Sequence, residues 1–250
     1  TPKLTFACDS CGIWIDWMAQ GARVTGNLLH DNRKWDLFVE VNHGPFLVDN
    51  NIFLSKVNLL EASGGGAYAH NLFGGNIALR AELEREPPYH KPHSTKILGL
   101  SKVVGDDERF YNNLFTGKDG LSGYNKWKPD HLQAVGNVYL AGTKPSLKDQ
   151  GELIDKGFKP GVKLSRKDDG WWLEMAINPA WELKSKREIV TTETLGNAKI
   201  PDAPFENPDG TPYRLDADYF GKKRNTENPA PGPFAAQSGK KIQIKVWPDN

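Results

Sequence analysis

The chain has little cysteine and almost no net charge. It has 250 residues, of which two are cysteines, and 32 basic against 31 acidic residues give a net charge of +1. This leaves no cationic excess that would hold nucleic acid or an anionic membrane surface. No apolar run reaches the ~20 residues that span a bilayer. We therefore expect neither nucleic acid nor a membrane as a partner.

The first residues also lack the charged and then apolar layout of a signal peptide. The sequence leaves open whether the protein is cytoplasmic or secreted. Cys8 and Cys11 form a C-x-x-C pair, but neither a second cysteine pair nor a βαβ pattern accompanies it. We expect no metal or redox cofactor at these thiols and assign them no role.

Turn-forming and aromatic residues are abundant by contrast. The chain has 25 glycines, 17 prolines and 8 tryptophans. This composition favours β-structure with many turns over a helical bundle. Tryptophans beyond the needs of a core often line sugar sites, where a flat ring packs on a pyranose, although burial is their commoner fate.

An asparagine followed by two apolar residues recurs along the first part of the chain. The motif occurs at residues 27–29, 51–53, 71–73, 113–115 and 137–139. The spacings are 24, 20, 42 and 24 residues, and we interpret the 42 as two periods with one weakly marked coil. A period of about 20–25 residues is typical of a solenoid.

The repeat predicts an all-β fold, a right-handed parallel β-helix (solenoid). A leucine-rich repeat would need a leucine ladder that is missing. Successive rungs lie ~4.8 Å apart in a β-helix, so the apolar residues of the motif would stack inside. Each asparagine would occupy a corner with left-handed backbone geometry, its amide bonded to the turn or to the next asparagine.

The repeat defines two regions. Residues 1–143 would form the β-helix rungs that carry the active site. Residues 144–250 contain a hairpin around residues 163–173 with an Asp-Gly turn, and an alternating strand near the end of the chain. We predict that they form an irregular β-rich C-terminal region that caps the solenoid or packs on it.

Two acidic residues hold the same place in consecutive repeats. Asp16 lies 11 residues before Asn27, and Glu40 lies 11 residues before Asn51. The next repeat places Leu60 at this position, so the stacked acidic residues, here called the acidic column, extend over two rungs. Alternation of inward apolar residues predicts that these side chains point outward: Trp14, Asp16, Asp36, Phe38 and Glu40.

Like charges on neighbouring strands cost a fold stability, so a pair of carboxyls in register indicates a function. Two carboxyls ~5–5.5 Å apart are what a retaining glycoside hydrolase requires. An alternative is a polysaccharide lyase, in which Asp16, Asp36 and Glu40 would bind Ca²⁺ and Arg23 is the nearest candidate base. A structural Ca²⁺ and a non-catalytic glycan-binding β-helix are further alternatives.

The residues around the acidic pair are candidates for substrate binding. Trp14 and Phe38 share the outward face and suit a sugar platform, although packing under a loop would explain them equally well. His43 precedes Gly44-Pro45, so it could be a turn residue instead. The full set of substrate-binding candidates is Trp14, Trp17, Gln20, Phe38, Asn42 and His43.

The stretches GIWIDWMAQGARVTGNLL and DLFVEVNHGPFLVDNNIFLS resemble the catalytic rungs of glycoside hydrolase family 120, β-xylosidases built on a right-handed parallel β-helix. GDDERFYNNLF and DADYFGKKR…PGPF are similar to its later segments, and the resemblance is dense over about residues 12–143. It implies that Asp16 is the nucleophile and Glu40 the acid/base of a retaining, exo-acting β-xylosidase on xylo-oligosaccharides.

Members of that family carry earlier rungs and an inserted β-sandwich before the rung of the nucleophile. An exposed rung at residue 10 would leave backbone donors and an apolar cross-section open to water. We therefore expect a second chain that supplies N-terminal rungs, or else a different N-terminal cap.

Overall fold

The computed structural model describes residues 5–6, 9–127, 132–235 and 241–248, so Cys8 lies outside the described part. No helix in that part is long and apolar enough to cross a membrane. The helices are a 3-10 turn at Ser122–Lys126, α1 at Trp181–Lys184 and α2 at Thr192–Leu195. The strands are β1 (Thr5–Phe6), β2 (Cys11–Ile15), β3 (Arg23–Thr25), β4 (Leu28–Leu29), β5 (Trp35–Glu40), β6 (Phe46–Asp49), β7 (Ile52–Phe53), β8 (Val57–Ala62), β9 (Gly66–Ala69), β10 (Leu72–Phe73), β11 (Asn76–Leu79), β12 (Pro88–His90), β13 (Ile97–Leu100), β14 (Glu108–Tyr111), β15 (Leu114–Phe115), β16 (Leu132–Val135), β17 (Val138–Leu140), β18 (Asp149–Gln150), β19 (Leu153–Asp155), β20 (Lys163–Lys167), β21 (Gly170–Ala176), β22 (Asn197–Ala198), β23 (Ala203–Pro204) and β24 (Lys241–Pro248).

Three parallel sheets stack as the walls of a right-handed parallel β-helix, which confirms the predicted fold class. The front sheet has the order β11-β8-β5-β2, and the middle sheet the order β18-β16-β14-β9-β6-β3. The third wall, here the ladder sheet, has the order β1-β4-β7-β10-β15-β17-β19. The last parallel strand ends at Asp155, so the stack continues past the predicted boundary at residue 143.

The recurring asparagines form a ladder at the corner between the middle and ladder sheets. From Asn51 onward, the side-chain oxygen of each asparagine accepts from the backbone N–H and from the Nδ2–H of the asparagine one rung earlier, at 2.9–3.1 Å. The ladder ends on Asp149, whose Oδ2 accepts from Asn137 at 3.1 Å. A carboxylate suits this end because it only accepts hydrogen bonds. The members in order are Asn27, Asn51, Asn71, Asn113, Asn137 and Asp149.

The residue before each ladder asparagine has a left-handed backbone conformation. Gly26, Asn50, His70, Asn112 and Gly136 have φ between 54° and 68°. We predicted this geometry for the ladder asparagine itself, and that prediction was wrong by one residue. The turn is completed earlier because the backbone N–H and the amide of the asparagine must both face a neighbouring rung. Glycine and asparagine suit the position since they tolerate positive φ.

The two apolar residues after each asparagine face opposite sides of the ladder sheet, as strand geometry requires. The second residue points inside, where successive aromatic rings stack with centroids 4.9–5.3 Å apart. The first points outward against the C-terminal region. The inward set is Leu29, Phe53, Phe73, Phe115 and Tyr139, and the outward set is Leu28, Ile52, Leu72, Leu114 and Val138.

The 42-residue spacing is one rung with an insertion, not two rungs. Asn71 donates directly to Asn113, and Leu72 pairs with Leu114, so these residues lie on adjacent rungs. The extra residues 80–105, here called the insertion, leave the front sheet after β11 and contain the antiparallel hairpin β12–β13. Sequence periodicity could not separate these cases because an insertion adds length without adding a repeat.

The C-terminal region packs along two walls of the β-helix. The predicted hairpin β20–β21 and the final strand β24 form an antiparallel sheet against the outer side of the ladder sheet. Later segments cover the outer side of the middle sheet with Phe205, Tyr213 and Leu215. The front sheet is the wall on which the insertion and the candidate site lie.

We expect Asn71→Ala to lower the free energy of unfolding by about 3 kcal/mol. The substitution leaves the N–H and the Nδ2–H of Asn51 without their acceptor and Val48 O without its donor, all of them buried. Urea denaturation measures the change. Asn225→Ala at an exposed turn is the control and should cost less than 1 kcal/mol; an equal loss in both variants would contradict a structural role for the ladder.

Candidate active site

The strand register brings the two acidic residues together on the front sheet. β2 pairs in parallel with β5, with Trp14 opposite Phe38 and Ile15 opposite Val39. Asp16 and Glu40 follow directly, so their backbones lie about one strand spacing (~4.8 Å) apart. The register agrees with the equal 11-residue spacings in the sequence.

The third rung differs from the sequence expectation. Glu40 pairs with Ala62, whereas Leu60 pairs with Phe38, so Ala62 and not Leu60 continues the acidic column. The error arose from a two-residue shift in aligning the strands. The intervening Glu61 points inside and is buried, where the hydroxyl of Tyr68 donates to it.

Glu40 is held by three donors. Trp14 Nε1–H donates to Oε2 at 3.1 Å, and the guanidinium groups of Arg80 and Arg85 donate to Oε1 at 2.9 and 3.1 Å. The Glu40 side chain is only 8% exposed. Burying a carboxylate is costly unless it is paired, and the two arginines supply that pairing.

A second carboxylate holds the two arginines in place. Glu82 Oε1 lies 2.5 Å from Arg80 Nε, and its Oε2 lies 3.8 Å from Arg85 Nε. The Arg80 guanidinium also stacks over the Phe38 ring at 4.9 Å, a cation–π contact. Both guanidiniums therefore have fixed anionic partners at the base of the groove.

Asp16 is exposed at the end of β2, in contrast to Glu40. Its Oδ1 accepts from the backbone N–H of Trp17 at 2.8 Å, which orients the carboxylate. Trp14 and Trp17 flank it and are 54% and 44% exposed. Trp14 stacks on Phe38 with ring centroids 5.2 Å apart, and together they form an aromatic wall of the kind on which a pyranose can pack.

These side chains line one open groove on the front sheet. Strands β2 and β5 and the residues that follow them contribute the two carboxyls and the aromatic residues, and the insertion contributes two arginines and two glutamates. The lining residues are Trp14, Asp16, Trp17, Phe38, Glu40, Arg80, Glu84, Arg85 and Glu86.

Asn42 does not face the groove, although we predicted that it binds substrate. It is buried, and its Nδ2–H groups donate to the backbone oxygens of Glu40 at 2.8 Å and Ile15 at 3.4 Å. Its Oδ1 accepts from the backbone N–H of Ala19. Asn42 therefore links the ends of the two strands that carry Asp16 and Glu40 and fixes them relative to each other.

Gln20 and His43 bind the insertion instead of lining the groove. Gln20 and the backbone of His90 exchange two hydrogen bonds, at 2.8 and 3.0 Å. His43 Nε2–H donates to the backbone oxygens of Pro87 and Ser101. Burial lowers the pKa of His43, which favours the neutral ring. Their predicted contact with substrate is not supported by this geometry; both tether the hairpin.

Asp36 lies outside the groove, which corrects the Ca²⁺ ligand set considered from the sequence. It is fully buried beneath a rung corner, where it accepts from Asn32, Ser55 and Asn58 at 2.7–3.0 Å. Burial raises the pKa of Asp36 to about 6. Across the described ranges, no three His, Cys, Asp or Glu side chains are grouped so as to hold a metal ion.

Arg23, the base considered for a lyase, is also elsewhere. It lies on the middle sheet and forms a bidentate pair with Asp49 at 2.8 and 3.0 Å. The arginines that do enter the groove, Arg80 and Arg85, were missed by sequence reasoning. The available signal was the charged run RAELERE inside the long 42-residue spacing.

The fold and groove define a class, a parallel β-helix protein with adjacent carboxyls and an aromatic wall on one open face. No protein-family model matches the chain, and no curated protein sequence does. A solved structure of XylC in complex with xylose is similar, with a TM-score of 0.89 and 36% sequence identity. The similarity covers 97% of this chain and 42% of the XylC chain, so the chain spans less than half the length of XylC.

We expect Gln20→Ala to loosen the insertion. Loss of two hydrogen bonds to His90 should raise amide exchange in the hairpin about thirtyfold, because each bond contributes on the order of 1 kcal/mol. Hydrogen–deuterium exchange of peptides from residues 87–101 measures this. The matched control is Gln243→Ala in the C-terminal sheet; unchanged exchange in Gln20→Ala would mean that other contacts hold the hairpin.

Proposed function

We propose that the protein is a retaining glycoside hydrolase that acts on xylosyl substrates, a β-xylosidase. The observation that carries the proposal is the register that sets Asp16 beside Glu40 in an open, aromatic-lined groove. A spacing of one strand suits the ~5–5.5 Å carboxyl separation of retaining enzymes better than the ~6.5–9.5 Å of inverting ones. The similarity to a xylose-bound structure over nearly the whole chain supports a xylosyl substrate.

The resemblance to family 120 assigns Asp16 as nucleophile and Glu40 as acid/base, and the geometry fits these roles. Asp16 is exposed and oriented by the Trp17 N–H, so it can reach an anomeric carbon. Two guanidiniums hold Oε1 of Glu40, whereas a protonated Oε2 could still accept from the Trp14 indole N–H. Oε2 is therefore the oxygen that would carry the proton toward the leaving group.

The reaction would take two steps. First, Asp16 attacks the anomeric carbon while Glu40 gives its proton to the leaving oxygen, so that a glycosyl ester forms and the aglycone departs. Then Glu40 takes a proton from water, which attacks the same carbon and frees Asp16 with net retention. Exo action on xylo-oligosaccharides is what the resemblance implies.

We expect Asp16→Ala and Glu40→Ala each to lower kcat/KM for an aryl xyloside at least ~10³-fold. The melting temperature should be retained, and exposed carboxyls outside the groove, in Asp168→Asn and Glu227→Gln, serve as controls. Azide with an activated aryl xyloside should give the inverted xylosyl azide with Asp16→Ala and the retained one with Glu40→Ala. Nuclear magnetic resonance distinguishes these products.

The same assay separates the alternatives. A lyase would release an unsaturated product that absorbs in the ultraviolet and would depend on Ca²⁺. A glycan-binding β-helix would release no product from any glycoside. Full activity in both alanine variants would rule out the two-carboxyl mechanism, and azide products in the opposite pairing would reverse the two roles.

We also propose that further rungs cover the edge of the front sheet at β2, either on a second chain or on the same polypeptide. β2 is the last strand of the front sheet, and two inward residues of this rung are only half-buried. Ile13 and Val24 are partly exposed, whereas their partners on the next rung, Leu37 and Val48, are buried. The 42% coverage of XylC leaves a larger part of that chain without counterpart here, which is consistent with additional rungs.

The covering rungs can be sought directly. A denaturing gel of the protein from its natural source should show either a second polypeptide that co-purifies with the 27.8 kDa chain or one chain larger than 27.8 kDa. The reason is that a covered end buries the apolar cross-section of the first rung. A single band at 27.8 kDa would contradict the proposal, and a single longer chain would place the rungs on the same polypeptide.

A further inference from the structure

The insertion places two carboxylates at the rim of the groove. Glu84 and Glu86 both line it and are exposed. They flank Arg85, which reaches down to Glu40 at 3.1 Å. Within the described residues, neither glutamate has a basic group within ion-pair distance, in contrast to Glu82.

The cations of the groove are already engaged. Arg80 contacts both Glu40 and Glu82, and Arg85 contacts the same two carboxylates. An incoming anion would have to displace Glu40 or Glu82 to reach either guanidinium. The groove therefore presents four carboxylates on its surface and no uncommitted cation among its lining residues.

The position of the rim relative to Glu40 identifies the part of the substrate that it faces. The acid/base residue protonates the leaving oxygen, so the aglycone lies on the Glu40 side of the bond. Arg85 contacts Glu40, and adjacent residues have Cα atoms only ~3.8 Å apart. Glu84 and Glu86 therefore border the aglycone side of the groove.

We propose that Glu84 and Glu86 are specificity-determining residues that exclude negatively charged aglycones, such as the uronic-acid branches of acidic xylo-oligosaccharides. The inference rests on the proposed function, because it takes the aglycone side from the role of Glu40. In a partly desolvated groove, repulsion between the two glutamates and an anionic aglycone opposes binding, and salt screens this repulsion. Neutral aglycones are accepted because packing on the aromatic wall does not depend on the charge of the aglycone.

The test compares two aryl xylosides whose leaving phenols carry either a carboxylate or the carboxamide of nearly equal shape. We expect kcat/KM to favour the carboxamide about tenfold at low salt, with the preference falling as salt is added. Glu84→Gln/Glu86→Gln should reduce the preference to about twofold. Because both substrates are measured with each variant, intrinsic differences in leaving-group ability cancel in the comparison.

Glu193→Gln/Glu227→Gln removes the same charge at exposed sites outside the groove and should leave the tenfold preference unchanged. An equal preference in the wild type and in Glu84→Gln/Glu86→Gln, or a wild type that prefers the carboxylate, would overturn the inference alone. Failure to cleave either xyloside would overturn the proposed function and this inference with it.

Discussion

The stacking of rungs in fixed register is the constraint on which the rest of the structure depends. At one corner each asparagine binds the next through two hydrogen bonds. In the interior of the β-helix, the aromatic rings stack from rung to rung in the same order. A slip of one residue would break the ladder and turn every inward side chain outward. The same register sets Asp16 beside Glu40, so the geometry of the candidate site follows directly from the packing of the core.

The division of the three walls explains why the groove lies where it does. The C-terminal region covers the outer apolar residues of the ladder and middle sheets. The aromatic wall and the carboxyls lie on the outer face of the front sheet. The insertion then covers part of that face, which is why Glu40 is buried and Asp16 is exposed.

Much of this arrangement could be predicted from sequence because it repeats. The asparagine motif and the alternation around Asp16 and Glu40 both depend on periodicity. The insertion could not be predicted in this way, since it interrupts the repeat and its contacts come from tertiary folding. Arg80 was missed for that reason, and Asn42 was misplaced because rung corners turn side chains in directions that alternation does not describe.

Neighbouring carboxyls repel each other, so a fold that keeps them must offset that cost. The insertion does so by committing two guanidiniums to Glu40 and bracing them with Glu82. These cations are then unavailable at the rim, where no basic side chain in the described part of the chain pairs with Glu84 or Glu86. The contacts that make the buried carboxyl of Glu40 tolerable thus also leave the groove anionic, and a single inserted segment couples the stability of the carboxyl pair to the charge at the groove entrance.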